Sequence, residues 1–232
     1  MRSAQGRVAR VAGRARLRLV SPAARGSAEA LAAAEKPDRL RVDVLDFFGN
    51  PAASLVAAGG RFLLVDLRRG AAWRGAATPE ALERLLPVSA PVEDVVAALC
   101  GTARLVDGRA EARGAGGGRL GLAILAEDAE QLLEIGAEAS ILSARLRRRG
   151  APAGPDLSFE LFRHRAGAYL PTEIRLETRT GRVEVAWAGD LAVNGPPAPE
   201  LFSLEPPPGV PVREAGPGEE VPALDLPLRP VE

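Results

Sequence analysis

In the stretch GRARLRLVS, Arg14, Arg16 and Arg18 alternate with Ala15, Leu17 and Leu19. Successive side chains of a strand point to opposite faces, so this period of two predicts a strand with one buried and one wet face. The rhythm returns along the chain between Gly- and Pro-containing breaks. RLRVDVL sets Leu40, Val42 and Val44 against Arg41 and Asp43, and AASLVAAGGRFLLVDL reads as two strands, with Leu55, Phe62 and Leu64, around Gly59 and Gly60. AAWRGAA predicts another short strand, carrying Trp73. Later, Ile174 and Leu176 alternate with Glu173, Arg175 and Glu177, and Val183, Val185 and Trp187 with Arg182 and Glu184, across a Thr180-Gly181 turn.

Two stretches between these are less regular. ARLVDGRAEARGAGGGRLGLAIL, with Leu122 and Ile124, predicts strands joined by Asp107-Gly108 and by the run Gly116 to Gly118. AEQLLEIGAEASILSARLRRRG predicts two more, because Gly136 interrupts any helix. The Ala-rich AARGSAEALAAAEKP suits a short helix by composition, but as the return strand of a hairpin it explains the next segment better. The Pro-rich tail from Asn194 onward predicts irregular coil on the surface.

The rhythm changes once. In TPEALERLL, Thr78 suits an N-cap and Pro79 the first helical position, while Leu82, Leu85 and Leu86 share one helical face. Pro87 ends that helix. A second follows in SAPVEDVVAALCG, with Val92, Val95, Val96 and Leu99 as its stripe and Gly101 as its close. The economical architecture is mainly β (α+β): an incomplete antiparallel barrel, a curled sheet of about 10–11 strands closing around a helical lid or plug. Residues 1–212 read as one domain with lid helices at about 78–100, followed by a Pro-rich tail over 213–232.

Composition removes several function classes. Thirty basic and thirty acidic residues balance, so no global field favours nucleic acid. A single cysteine, Cys100, and a single histidine, His164, leave neither a disulfide nor a metal site nor a His-based catalytic set to propose. No run of about 18 apolar residues is present to span a bilayer. Residues 1–20 hold six arginines and no apolar core, so they do not read as a signal peptide. GAGGGRLG lacks the Lys-Ser/Thr of a phosphate loop and precedes a strand. RLRRRG reads as a solvated strand end, His164 as a surface residue and Cys100 as a packed small hydrophobe. No cofactor and no enzymatic activity is expected.

One turn breaks the usual chemistry. DFFGNP places Phe47 and Phe48 beside Gly49, Asn50 and Pro51, although turns are ordinarily polar.

The order of segments resembles the LolA/LolB superfamily, the carriers and receptors of bacterial lipoproteins, from about Arg7 to Val212. LRVDVLDFFGNPAASLVAAGGRFLLVD looks like the receptor-type strand, protruding loop, strand and hairpin. WRGAATPEALERLLPVSAPVEDVVAALCG is similar to the receptor-type pair of helices, YLPTEIRLET to a late strand beginning Leu-Pro, and LFSLEPPPGVPV to the carrier-type ending. Carrier-type members hold an arginine before a proline ahead of the third strand, where this chain has Lys36-Pro37. Receptor-type members carry a lipidated N-terminal cysteine after a signal peptide, and neither is present in this sequence.

The resemblance implies a half-barrel whose cavity takes the acyl chains of lipid or lipoprotein. Burial of a chain of roughly fifteen methylenes is worth on the order of 12 kcal/mol, so such a protein needs a dry apolar interior and no catalytic groups. The implied lining is Leu17, Leu19, Val42, Val44, Leu55, Phe62, Leu64 and Trp73 from the first strands. Leu82, Leu85, Leu86, Val95, Val96 and Leu99 come from the helices. Leu122, Ile124, Ile174, Leu176, Val183, Val185 and Trp187 come from the later strands. Phe47, Phe48 and Gly49 fall on the protruding membrane or transfer loop, with Phe48 exposed and Phe47 packed at the rim. The expected setting is the periplasm or the inner face of the outer membrane, for a monomer that meets acyl chains, a periplasmic lipoprotein carrier and the membrane surface, without nucleic acid. The alternative is a structural or interaction module of the cell envelope, with a filled core and no ligand.

Overall fold

The computed structural model describes residues 7–22, 25–83, 86, 88–114, 116–150, 154–165, 167–196, 198–215 and 226–230. Fourteen strands form one sheet. The first six are β1 (Arg10–Val20), β2 (Arg25–Glu35), β3 (Arg39–Leu45), β4 (Pro51–Ala58), β5 (Arg61–Asp66) and β6 (Ala71–Ala76). The second run holds β7 (Arg109–Gly114), β8 (Leu120–Leu125), β9 (Ala129–Ile135), β10 (Ile141–Arg148), β11 (Asp156–Arg165), β12 (Ala168–Glu177) and β13 (Arg182–Val193), and β14 is Val212–Ala215. Their spatial order is β14-β6-β5-β4-β3-β2-β1-β13-β12-β11-β10-β9-β8-β7. Two antiparallel meanders, β1–β6 and β7–β13, are thus sewn together in the middle by β1 against β13. The sheet is open, with β7 and β14 at its ends, and mainly β as the alternation requires.

This topology explains the helices. The chain must pass from β6, near one end of the sheet, to β7 at the other, and it does so through the concave side. Helix α1 (Pro79–Glu83) begins as expected: Thr78 Oγ1 accepts the Ala81 N–H at 3.2 Å. It is described as helical over these five residues, and further on the Leu86 N–H is donated to the Leu82 carbonyl at 2.8 Å. Leu85 and Pro87 lie outside the described residues. Helix α2 (Val92–Leu99) contacts β2, β3 and β12 and buries all its residues except Glu93, so it sits within the curl of the sheet. Gly101 ends it in the left-handed region (φ 71°), with its N–H donated to the Ala98 carbonyl at 2.8 Å and that of Thr102 to the Ala97 carbonyl at 3.0 Å.

The structure decides the ambiguous Ala-rich stretch in favour of a strand. β2 pairs with both β1 and β3, and its Ala28, Ala30, Ala32 and Ala34 are buried in the main core. Strand pairing on two sides overrides alanine's helical preference, and small side chains there leave room for α2. Three other expectations need correction. The strand count is fourteen, above the expected range, partly because β2 and β14 add to it. Residues 103–106 are not a strand; Gln131 ties them down, accepting the Val106 N–H at 3.0 Å and donating to the Arg104 carbonyl at 2.8 Å. The tail is not wholly irregular. Pro199–Phe202 forms a 3-10 turn over β3 and β4, β14 pairs in parallel with β6, and Arg229 bridges to Ser27 of β2.

The outer face shows why the charges balance. Arginines of β1, β10 and β12 meet acids across the strands: Arg16 with Glu29 at 3.2 Å, Arg175 with Glu184 at 3.2 Å, and Arg145 with Asp156 at 3.0 Å. Such exposed pairs fix register more than they add stability.

Candidate functional site

The interior and one protruding loop gather nearly every residue singled out in the sequence. Leu17 and Leu19, Val42 and Val44, Leu55, Phe62, Leu64 and Trp73 line the first meander and are all buried. Ile124, Ile174, Leu176, Val183, Val185 and Trp187 are buried on the second, with Leu122 partly buried against them. Leu82, Leu86, Val95, Val96 and Leu99 join them from the crossing segment. All these side chains pack in one continuous apolar cluster around α2. Each buried Leu, Ile or Phe contributes roughly 1.5–3 kcal/mol, so the cluster accounts for much of the folding free energy. One polar atom in it stands out: the Trp187 indole N–H is buried and has no acceptor among the described residues.

A cleft of about 300 Å³ opens between residues 104–107 and the β8–β9 turn, with Leu105, Val106, Ala129 and Leu146 on its walls. A narrow recess sharing Arg104 and Leu146 continues from it to Asp94 of α2. There Arg104 donates to Asp94 Oδ1 at 2.9 Å. Burial pushes the Asp94 carboxyl up, while the neighbouring Arg104 draws it down.

The opposite end of α2 carries Cys100, buried, with its thiol pushed up to about 11 by desolvation and drawn down by the nearby Lys36 ammonium. Lys36 itself is lowered by its own burial. Lys36 therefore lies beside the C-terminal end of the interior helix, where a cation is favoured. His164, as expected, is on the surface, where it contacts Glu138 at 3.0 Å.

The protruding loop joins β3 to β4. Asp46 organises it: Oδ1 accepts the N–H groups of Phe48 at 2.8 Å and Asn50 at 2.9 Å, and the Asp46 carbonyl accepts that of Gly49 at 3.1 Å. These bonds, led by the Asn50 amide, hold the Asp46 carboxyl below its ordinary range. Gly49 adopts φ 86°, which closes the turn. Phe48 is 91% exposed and Phe47 66% exposed.

Phe47 therefore does not pack inward at the rim, and its neighbour is a segment of the Pro-rich tail. β3 pairs with β2 only as far as Ala30 opposite Val44, so the first residues of β2 lack that neighbour. Residues 226–230 take the place. Arg229 and Ser27 exchange backbone hydrogen bonds at 2.9 and 2.7 Å, and Leu226 and Leu228 pack on the core. The Arg229 guanidinium lies 5.2 Å from the Phe47 ring centroid. A Cβ on Gly26 would stand 2.6 Å from Leu228 Cβ, so only glycine admits this strap. The signal was present as a glycine inside a strand and as two leucines in LPLRP, one residue apart.

Among the described residues no helix is long and apolar enough to cross a membrane. No protein-family model matches the chain, and no curated protein matches it in sequence. Solved structures do match in shape. A DUF1329 family protein from Desulfovibrio piger superimposes with TM-score 0.58 at 11% identity, over 87% of this chain and 92% of its own. A LolA superfamily protein from Nitrosomonas europaea gives 0.56 at 11%, over 85% and 91%. A domain assigned to outer membrane lipoprotein sorting in Vibrio parahaemolyticus gives 0.55 at 9%, over 87% and 93%. These matches in shape, over 85–87% of this chain, give it the LolA/LolB-like fold, built on a curled open sheet.

Proposed function

We propose that this protein binds acyl chains of lipid or lipoprotein without catalysis, and serves their transfer or localisation at the bacterial outer membrane. The carrying observation is Phe48, a 91% exposed aromatic ring on a hydrogen-bonded turn, at the rim of a sheet whose interior is continuously apolar. An exposed Phe forgoes roughly 2–3 kcal/mol of burial, which a contact with lipid recovers. The solved neighbours named for the LolA superfamily and for lipoprotein sorting support the same reading. The interior residues named above are the acyl-chain surface, and the cleft beside Arg104 is the path to it. The protein acts as a monomer in the periplasm or at the inner face of the outer membrane, receiving cargo from a periplasmic carrier.

The test is purification from a bacterial host followed by mass spectrometry of lipid released on denaturation. Co-purified acyl lipid in stoichiometric amount is expected. A lipid-free protein that also fails to take up a fluorescent fatty acid overturns the reading. The tight burial of the lining side chains favours one alternative, an envelope interaction module with a filled core, in which Phe47 and Phe48 meet another protein.

A further inference from the structure

The loop 46–50 and the strap 226–230 come from opposite ends of the sequence and meet at one place. The strap is fixed there by the two Ser27 hydrogen bonds and by the packing of Leu226 and Leu228, with Gly26 beneath it. Its outward product is a guanidinium held over the ring of Phe47, next to the fully projecting Phe48. The one acidic group of the turn, Asp46, is engaged by the amides of Phe48 and Asn50. The tip therefore presents two aromatic rings and one cation outward.

We infer that loop and strap form one composite tip whose partner is a bilayer containing anionic phospholipid. Phe48 enters the acyl boundary, and Arg229 binds lipid phosphate at the level of the Phe47 ring. This rests on the reading of Phe48 as a bilayer contact and adds the lipid class. A single apolar anchor gives only marginal, reversible membrane binding, and stable association takes a second signal. A guanidinium suits that role, because it is weakly hydrated, stacks on aromatic faces and matches phosphate oxygens two at a time. The ring below keeps Arg229 from collapsing onto the protein and sets its height relative to Phe48.

Sedimentation with vesicles of phosphatidylcholine alone, or with a quarter phosphatidylglycerol, tests this on the full chain. Tighter binding to the anionic vesicles is expected, with the preference shrinking at high salt. Arg229→Gln should weaken binding to anionic vesicles about five-fold, the equivalent of ~1 kcal/mol for one basic residue at an anionic surface, and leave neutral vesicles unaffected. Arg229→Lys should keep most of the preference. Gly26→Val, which evicts the strap without touching the cation, should lose it as Arg229→Gln does. Equal binding to both vesicle types, an unchanged preference in Arg229→Gln, or recruitment only by a protein partner overturns the proposal. Uptake of a fluorescent fatty acid is read separately: charge-selective vesicle binding without uptake supports the tip and sinks the carrier reading, and uptake without charge preference does the reverse.

Discussion

Asp94, inside the curl on α2, and Arg104, on the segment leaving it, meet at 2.9 Å in the narrow recess beside the cleft at residues 104–107. Burial raises the Asp94 carboxyl pKa, with Arg104 opposing, so the folded state holds that proton more tightly than the unfolded chain does. The resulting stabilisation is complete below the unfolded value, about 3.9, and is lost as pH rises through the higher folded value. Asp94→Asn should remove this term. Urea midpoints of parent and variant, compared from about pH 4 upward, should show a smaller loss with rising pH in the variant.

Cys100 obeys the same sign at higher pH. Its thiol is raised to about 11 by burial, so its contribution is intact below about 9 and is lost as pH rises from there through about 11. At pH near 8 a thiol reagent should label the folded protein slowly and the urea-unfolded protein fast. Rapid labelling of the folded state would show that the C-terminal end of α2 is open.

Gly101 has two independent reasons to resist substitution. Its φ is positive, and a Cβ would stand 2.7 Å from Pro171 Cδ on β12. Gly101→Ala should cost roughly 2 kcal/mol or more, read from chemical denaturation.

Gln131 supplies both partners of a segment that has no strand to pair with. Gln131→Leu orphans the Val106 N–H and the Arg104 carbonyl and should cost about 2 kcal/mol, with faster hydrogen exchange at Val106.

Phe48→Glu should leave the thermal midpoint unchanged, since the ring touches solvent, and abolish transfer of acyl lipid to acceptor vesicles. Asp46→Ala should preserve the fold yet speed amide exchange at Phe48 and Asn50, whose acceptor is removed.

Strands and core were legible wherever inward and outward faces differed in chemistry, as in β1, β3, β12 and β13. Ala28 to Ala34 were not, because alanine carries little face information and only the pairing of β2 on both sides decides its conformation. Residues 103–106 look like a strand locally and lack a partner, a fact that resides in Gln131, 25 residues from Val106. The exposed Phe48 was readable from turn chemistry and the family resemblance. Arg229 over Phe47 was not, since 182 positions separate them and no local pattern reports a contact of that kind.

The crossing from β6 to β7 ties two far-apart strands of an open sheet through its own hollow. The interior helix is therefore held by chain continuity at both ends as well as by its packing, so it cannot leave the curl without pulling on β6 or β7.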